Sequence, residues 1–439
     1  MVEKNRVMSA ARTTQVIAHF RTPLYRNAYA LIFSSASTSV LGAAYWLLAT
    51  HNYTADTVGL NSAAISAMTF LAGVSQLNLM SALARFIPEI GRGTDRFAIG
   101  SYLVTVVVAA VAGLVFILGL NLWAPALYDF RSSPVLALWF ILSTMAYCVF
   151  ILQDSVLTGL RQAVWVPVEN VSFSLLKIAL LVGFVGLLPQ YGVFISWTVA
   201  VMAFLLPVNF LIFRRLIPAH VRENQDRATS LQLKQVVQYV SGDYVGLLCW
   251  LAATTLLPVI VLREAGAVAT AYFYLAWTIA YSLYLVSSGM GYSLLVEAAR
   301  DRSKLRVYSY RAGIQCARLV VPSSIILALG APYILQIFGS GYSAEGTTLL
   351  RLLALSAIPN IITALFTSIA RAQRRVAAIV AVAATICTLV LTLSHIFMDV
   401  YGITGVGLAW LVSQVVVAGV IVLTQLRPLW SGRNQALGK

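Results

Sequence analysis

The chain has 439 residues, 60% of them hydrophobic and only 10% charged, and its mean hydropathy is strongly positive. A water-soluble globule with this balance could not cover itself with polar surface, so a soluble enzyme or nucleic-acid binder is excluded despite the formal charge of +15. The apolar runs are long and continuous, unlike the alternating pattern of barrel strands, so helices of about 20 residues are expected to cross a hydrocarbon core of roughly 30 Å.

Residues 1–26 are basic and lack the apolar run of a signal peptide, so they are expected to form a cytoplasmic amphipathic tail. Six spans follow at 27–50, 58–84, 98–121, 134–158, 168–188 and 192–213, together an N-terminal lobe over 27–213. A charged cytoplasmic linker is predicted at 214–236. The next six spans, at 237–262, 267–294, 309–330, 346–370, 376–397 and 402–426, make a C-terminal lobe, with a second cytoplasmic tail at 427–439. With twelve spans, only Arg131, Arg263 and Arg351 of the thirty Lys and Arg fall opposite the termini, and Lys177 alone lies within a span. That asymmetry places both termini in the cytoplasm. Cys148, Cys249, Cys316 and Cys387 stand singly, without metal-ligand or disulfide spacing, and read as small buried hydrophobes. The four His are scattered, and no zinc-protease or phosphate-loop motif occurs, so neither an enzyme nor a bound cofactor is expected.

The two halves carry a repeat. RFIPEIGRGTDRFAIGSYL (85–103) aligns with SLLVEAARDRSKLRVYSYR (293–311), WAPALYDF with GAPYILQIF, and TGLRQAVWVP with SIARAQRRVA. Six spans separate each pair, so the lobes have the same topology and are related by an axis along the membrane normal.

Spans 3 and 9 end in PALYDF and PYILQIF, and spans 4 and 10 end in GLRQ and ARAQ ahead of short basic loops. With the twelve-span repeat, this pattern resembles the polysaccharide (lipid-linked, O-antigen-type oligosaccharide) flippases of the multidrug/oligosaccharidyl-lipid/polysaccharide exporter superfamily. The resemblance implies an all-α fold of two six-helix lobes in a V around a central cavity. It also implies transfer of a polyprenyl-pyrophosphate-linked glycan from the inner to the outer leaflet of a bacterial inner membrane, alongside polysaccharide polymerase and export machinery. A cation-coupled multidrug antiporter on the same fold is the alternative.

Ionisable groups at membrane depth mark transport sites or structural pairs. Asp154 and Lys177 flank the turn between spans 4 and 5 and read as a hairpin ion pair, or as a counter-charge for pyrophosphate poised by Asp154. Asp243, two turns into span 7, and Asp154 are candidates for H+ or Na+ coupling. Arg26, Arg85 and Arg161 at cytoplasmic helix ends have the geometry to catch phosphate, unless they serve topology alone, and Arg351 at the far side would assist release. Gln76 and Asn78 in polar span 2 carry amides that a glycan could satisfy. Pro258 and Pro359 predict kinks, while spans 3, 9, 11 and 12 read as scaffold or lipid-facing. Span 8 contains AYFYLAWTIAYSLYLVSS (271–288), with Tyr274, Trp277, Tyr281 and Tyr284 on one helical face. From Tyr274 to Tyr284 the rise is about 15 Å, too deep for one interfacial belt, so the ladder reads as a sugar-stacking wall or as a packed helix interface.

Overall fold

The computed structural model describes residues 23–224, 233–242, 244–300, 305–373 and 375–426, and among them the chain is a multi-pass all-helical membrane protein. Ten helices among the described residues have the length and apolarity to cross a membrane. One of these, Tyr244–Gly291, is two spans, because Gly266 sits outside helical space at φ 83° and ψ 179° and reverses the chain where the sequence predicts a loop. Only glycine adopts that conformation freely. The long helix Pro23–Asn52 supplies the remaining span, so twelve result.

Span 1 is Pro23–Asn52, and span 2 is Ala55–Ser75 followed, after a break, by Leu79–Phe86. Leu77 and Asn78 cause the break, with φ of 49° and 58°, a left-handed pair that no helix interior accepts. Spans 3 to 6 are Thr94–Leu118, Pro134–Gly159, Trp165–Gly183 and Gly192–Leu211. Span 6 does not stop at the predicted linker; helix continues through Ile217–Glu223 by way of a wide turn at Ile212–Leu216. Span 7 is built from Leu233–Ser241, Tyr244–Thr255 and the start of Leu257–Arg300, which then carries span 8. Pro258 explains the interruption at Leu256, since it removes a donor and crowds the preceding turn. Pro359, by contrast, lies within an unbroken span 10, Ser340–Ala372. Spans 9, 11 and 12 are Leu305–Gln336, Val376–Tyr401 and Ile403–Ile421. Of the two readings of span 12, scaffold or lipid-facing, its buried face fits the first: Trp410, Ser413 and Gln414 are fully buried in the C-terminal lobe, while Val415, Val416 and Val420 are exposed.

The lobes meet along spans 2 and 8 at the face opposite Pro23, which we call the far face. Gly59 packs so tightly there that an added Cβ would lie 1.7 Å from the Ala267 carbonyl oxygen. The repeat register that aligns Arg85 with Ser293 also aligns Gly59 with Ala267. An equivalent pair in mutual contact is what a two-fold axis through that point requires, and glycine is the residue that lets two helix backbones approach.

Candidate functional site

Toward the tail face, where Pro23 lies, two seams between the lobes behave differently. Spans 2 and 7 stay together. Tyr244 donates its hydroxyl proton to the Val74 carbonyl at 2.5 Å, Asn78 Nδ2 donates to the Val240 carbonyl at 3.3 Å, and Phe86 meets Tyr239 edge-on with centroids 5.3 Å apart. Spans 1 and 8 touch through Trp46 and Tyr274, whose ring centroids are 4.7 Å apart. Helical periodicity continues these two faces through Gly42, Ser39 and Ser35 on span 1, and through Thr278, Ser282, Leu285 and Gly289 on span 8. Ser35, Ser39, Thr278, Ser282, Leu285 and Gly289 are exposed, and a Cβ added at Gly42 or Gly289 would meet nothing within 4 Å. The faces therefore diverge below the Trp46–Tyr274 contact, leaving a polar gap between spans 1 and 8 on the tail side.

At the apex of that gap is a cavity of about 220 Å³ lined by Ser66, Thr69, Thr254, Thr255, Pro258, Tyr274, Trp277, Thr278 and Tyr281. Its lining comes from spans 2, 7 and 8, and it contains five hydroxyl-bearing aliphatic side chains, two phenols and an indole, with no carboxylate or ammonium. The predicted ladder is therefore divided. Tyr274 and Tyr281 line the cavity, and Trp277 lines it while packing edge-on against Trp410 at 4.6 Å. Tyr284 turns into the lobe interior, 2% exposed, where its oxygen accepts from Trp410 Nε1 at 2.6 Å and shares a hydrogen bond with Ser356 Oγ at 2.7 Å. The ladder is thus split between cavity lining and a packed helix interface.

Lys177 is buried within the N-terminal lobe and does not pair with Asp154. Its Nζ lies 3.8 Å from the Trp197 ring centroid, 4.5 Å from that of Tyr45 and 5.1 Å from that of Phe173, a three-sided aromatic cage. The cage is itself braced: Tyr45 donates to the Val193 carbonyl at 2.7 Å and bonds Ser196 Oγ at 3.0 Å. Trp197 lies 6.4 Å from Trp46, which contacts Tyr274, so a file of rings runs from the lysine to the inter-lobe cavity. Asp154 instead accepts from Asn170 Nδ2 at 3.1 Å, beside Glu169, a buried carboxylate that the sequence reading passed over.

The remaining candidates are dispersed. Asp243 lies outside the described residues, as does the side chain of Arg26. Arg85 is exposed on the tail side and ion-pairs with Glu89 one turn along. Arg161 is exposed in the turn after span 4, with φ 59°. Arg351 donates from Nε to the Ala328 carbonyl at 3.1 Å, tying span 10 to span 9. Gln76 is buried at the end of the first part of span 2, and Asn78 is the inter-lobe latch described above. None of the five described side chains, Arg85, Arg161, Arg351, Gln76 and Asn78, lines the cavity.

No family model matches the sequence, and neither does any curated protein. Solved structures do match. A multidrug-resistance MATE family transporter of the MOP superfamily, in its inward-facing conformation, aligns with a TM-score of 0.68 at 16% identity, covering 93% of this chain and 99% of its own. The lipid II flippase MurJ, in an inward closed conformation, aligns at 0.66 with 13% identity over 90% and 87% of the two chains. This chain shares the fold of these two proteins. A Vibrio cholerae MATE transporter aligns at 0.60 and 14% identity over 94% and 97%. The same fold thus serves multidrug transporters and a lipid II flippase, and fold alone does not choose between them. In its terms the cavity sits between the two lobes, and the Lys177 cage sits inside the first.

Proposed function

We propose that the protein is a flippase that carries a polyprenyl-pyrophosphate-linked oligosaccharide from the cytoplasmic to the outer leaflet by alternating access, with the tail face cytoplasmic. The inter-lobe cavity carries this reading: it is lined by hydroxyls and aromatic faces and has no carboxylate to hold an organic cation. Aromatic rings bearing hydroxyls stack on sugar faces and bond their hydroxyls. At about 220 Å³ the cavity is below the ~300–1,000 Å³ of drug-sized sites, so it suits part of a glycan whose remainder occupies the gap beneath it.

The asymmetric seams support a lipid-linked substrate. Spans 2 and 7 remain latched while spans 1 and 8 part, which makes a lateral portal through which a headgroup passes while its polyprenyl chain stays in the bilayer. Lys177 supplies positive potential behind the cavity wall, and Arg26, Arg85 and Arg161 mark the tail-face surface that first meets the pyrophosphate, with Arg351 at the release side. Asp154 and Asp243 are the coupling candidates. The multidrug-antiporter reading draws on the buried carboxylates Asp154 and Glu169, but neither lines the inter-lobe cavity.

The test is genetic and then direct. Without the protein, lipid-linked repeat units should accumulate in the cytoplasmic leaflet, and Tyr281→Ala should reproduce that defect with the protein still inserted. Intact glycan display combined with lost efflux of a cationic dye would sink the flippase and favour the antiporter.

A further inference from the structure

The break in span 7 lies beside the inter-lobe cavity and gives one of its walls a single hydrogen-bonding character. Pro258 has no N–H to offer the Thr254 carbonyl one turn earlier. Val259, the ordinary helical donor to the Thr255 carbonyl, bonds the Leu256 carbonyl at 3.0 Å instead, and so does Ile260. Two main-chain carbonyls are thus released from the helix at the very residues whose side chains line the cavity. At membrane depth a released carbonyl needs a donor from elsewhere.

The threonines on this wall have already spent their protons. Thr254 Oγ1 donates to the Trp250 carbonyl at 2.9 Å, and Thr255 Oγ1 donates to the Leu251 carbonyl at 2.7 Å. Thr278, on span 8, does the same to the Tyr274 carbonyl at 2.8 Å. A hydroxyl that donates to its own helix keeps only lone pairs for a ligand. The span 7 wall therefore presents two hydroxyl oxygens and two carbonyls, all of them acceptors. Span 8 supplies the aromatic rings of Tyr274, Trp277 and Tyr281, the last two with centroids 5.5 Å apart, and span 2 adds Ser66 and Thr69.

This combination selects by charge. A carboxylate or phosphate placed here would set negative oxygens against four acceptors, with no cation in the lining to offset the loss of water. An organic cation finds no carboxylate in the lining, and the file of rings behind Tyr274 leads to the Lys177 ammonium. A bare alkali ion would leave most of about 220 Å³ unfilled. A sugar ring brings what the walls lack: several O–H donors for the acceptors, and an apolar C–H face for the aromatic rings.

We propose that the cavity takes one uncharged pyranose ring, its hydroxyls donating to Thr254, Thr255 and the two released carbonyls and its face against Tyr274 and Tyr281. Uronic acids are rejected, and the pyrophosphate stays in the gap beneath. Thr254 and Thr255 are then the residues that determine which sugars enter. The inference rests on the reading of the cavity as a glycan site and adds to it the class of sugar.

The test is saturation-transfer NMR on the full chain in nanodiscs, with methyl glycosides of glucose, galactose and mannose, the matching methyl uronates, and their uncharged uronamides. At least one neutral glycoside should receive saturation, its uronate should bind about tenfold more weakly or worse, and the uronamide should recover the neutral signal. Combined Thr254→Val and Thr255→Val should weaken the neutral glycoside about fivefold or more, while Ser at both positions should retain it. Thermal unfolding of each variant separates lost binding from lost fold, and the uronate–uronamide comparison on the wild type decides even if the valine variant does not fold. Absence of binding by every neutral glycoside, equal binding of uronate and uronamide, unchanged binding in a folded valine variant, or displacement of the sugar by tetraphenylphosphonium would each overturn the proposal. Selective sugar binding in a protein whose loss leaves glycan display intact would sink the flippase and keep the site. Accumulated lipid-linked units in its absence, without charge selection in the cavity, would do the reverse.

Discussion

Lys177→Met separates a functional lysine from a structural one. The ammonium faces three rings at 3.8, 4.5 and 5.1 Å. Desolvated cation–π contacts contribute about 2 kcal/mol or more at best geometry, and less at the longer distances. Against this stands an effective penalty of several kcal/mol for burying an ammonium with no carboxylate partner. The two terms nearly cancel, so the charge adds little net stability. Methionine has comparable length, needs no solvation and makes favourable sulfur–aromatic contacts. Replacing a buried charge with a well-packed apolar side chain is commonly neutral or stabilising by ~1–4 kcal/mol. Lys177→Met should therefore unfold at the wild-type temperature or above it, followed by tryptophan fluorescence in detergent. Export should fall about tenfold or more, the equivalent of losing ~1.4 kcal/mol of attraction for an anionic headgroup. A variant several kcal/mol less stable than wild type, or one exporting at the wild-type rate, would refute the assignment and make the lysine a packing element.

Gly59→Leu would place its side chain in the Ala267 backbone, and overpacking of this kind typically destabilises the affected state by about 1–3 kcal/mol. It should shift the population toward a far-face-open form, read as increased labelling of Thr278→Cys by an impermeant thiol reagent added from outside; unchanged labelling would remove Gly59 from the seal. Tyr284→Phe strands the Trp410 indole N–H in the lobe core and should reduce stability by about 1–3 kcal/mol, whereas Tyr281→Ala should reduce export with little change in melting. Equal stability losses in the two variants would mean that the ladder is packing throughout. At position 78, Asn78→Gly keeps the left-handed backbone and loses only the Val240 hydrogen bond, while Asn78→Val adds strain of about 1–3 kcal/mol. Thermal unfolding should rank Val well below Gly, and the reverse order would show that the bond dominates over the backbone.

Hydropathy made the spans legible because membrane length is a constraint that every helix obeys, and Gly266 reversed the chain where the charge of Arg263 suggested it should. The site was less legible, and the spans 4–5 hairpin shows why. Placing its turn at residues 165–166 sets Asp154 and Lys177 at equal depth. The helices instead end at Gly159 and resume at Trp165, so the turn centres near residue 162 and Glu169, not Lys177, lies level with Asp154. A displacement of four residues, about one helical turn, thus exchanges an ion pair for an acid pair and reverses the electrostatics of the lobe. Trp165 and Pro167 at the start of span 5 were the available signal, since proline favours the first turn of a helix. Lys177 could not have been matched to its real partners by any charge rule, because Tyr45, Phe173 and Trp197 come from three helices and look individually like core. Depth along a helix follows from the sequence to within a turn; which neighbour waits at that depth is decided by packing between helices, and for Lys177 that neighbour is an aromatic cage and not a carboxylate.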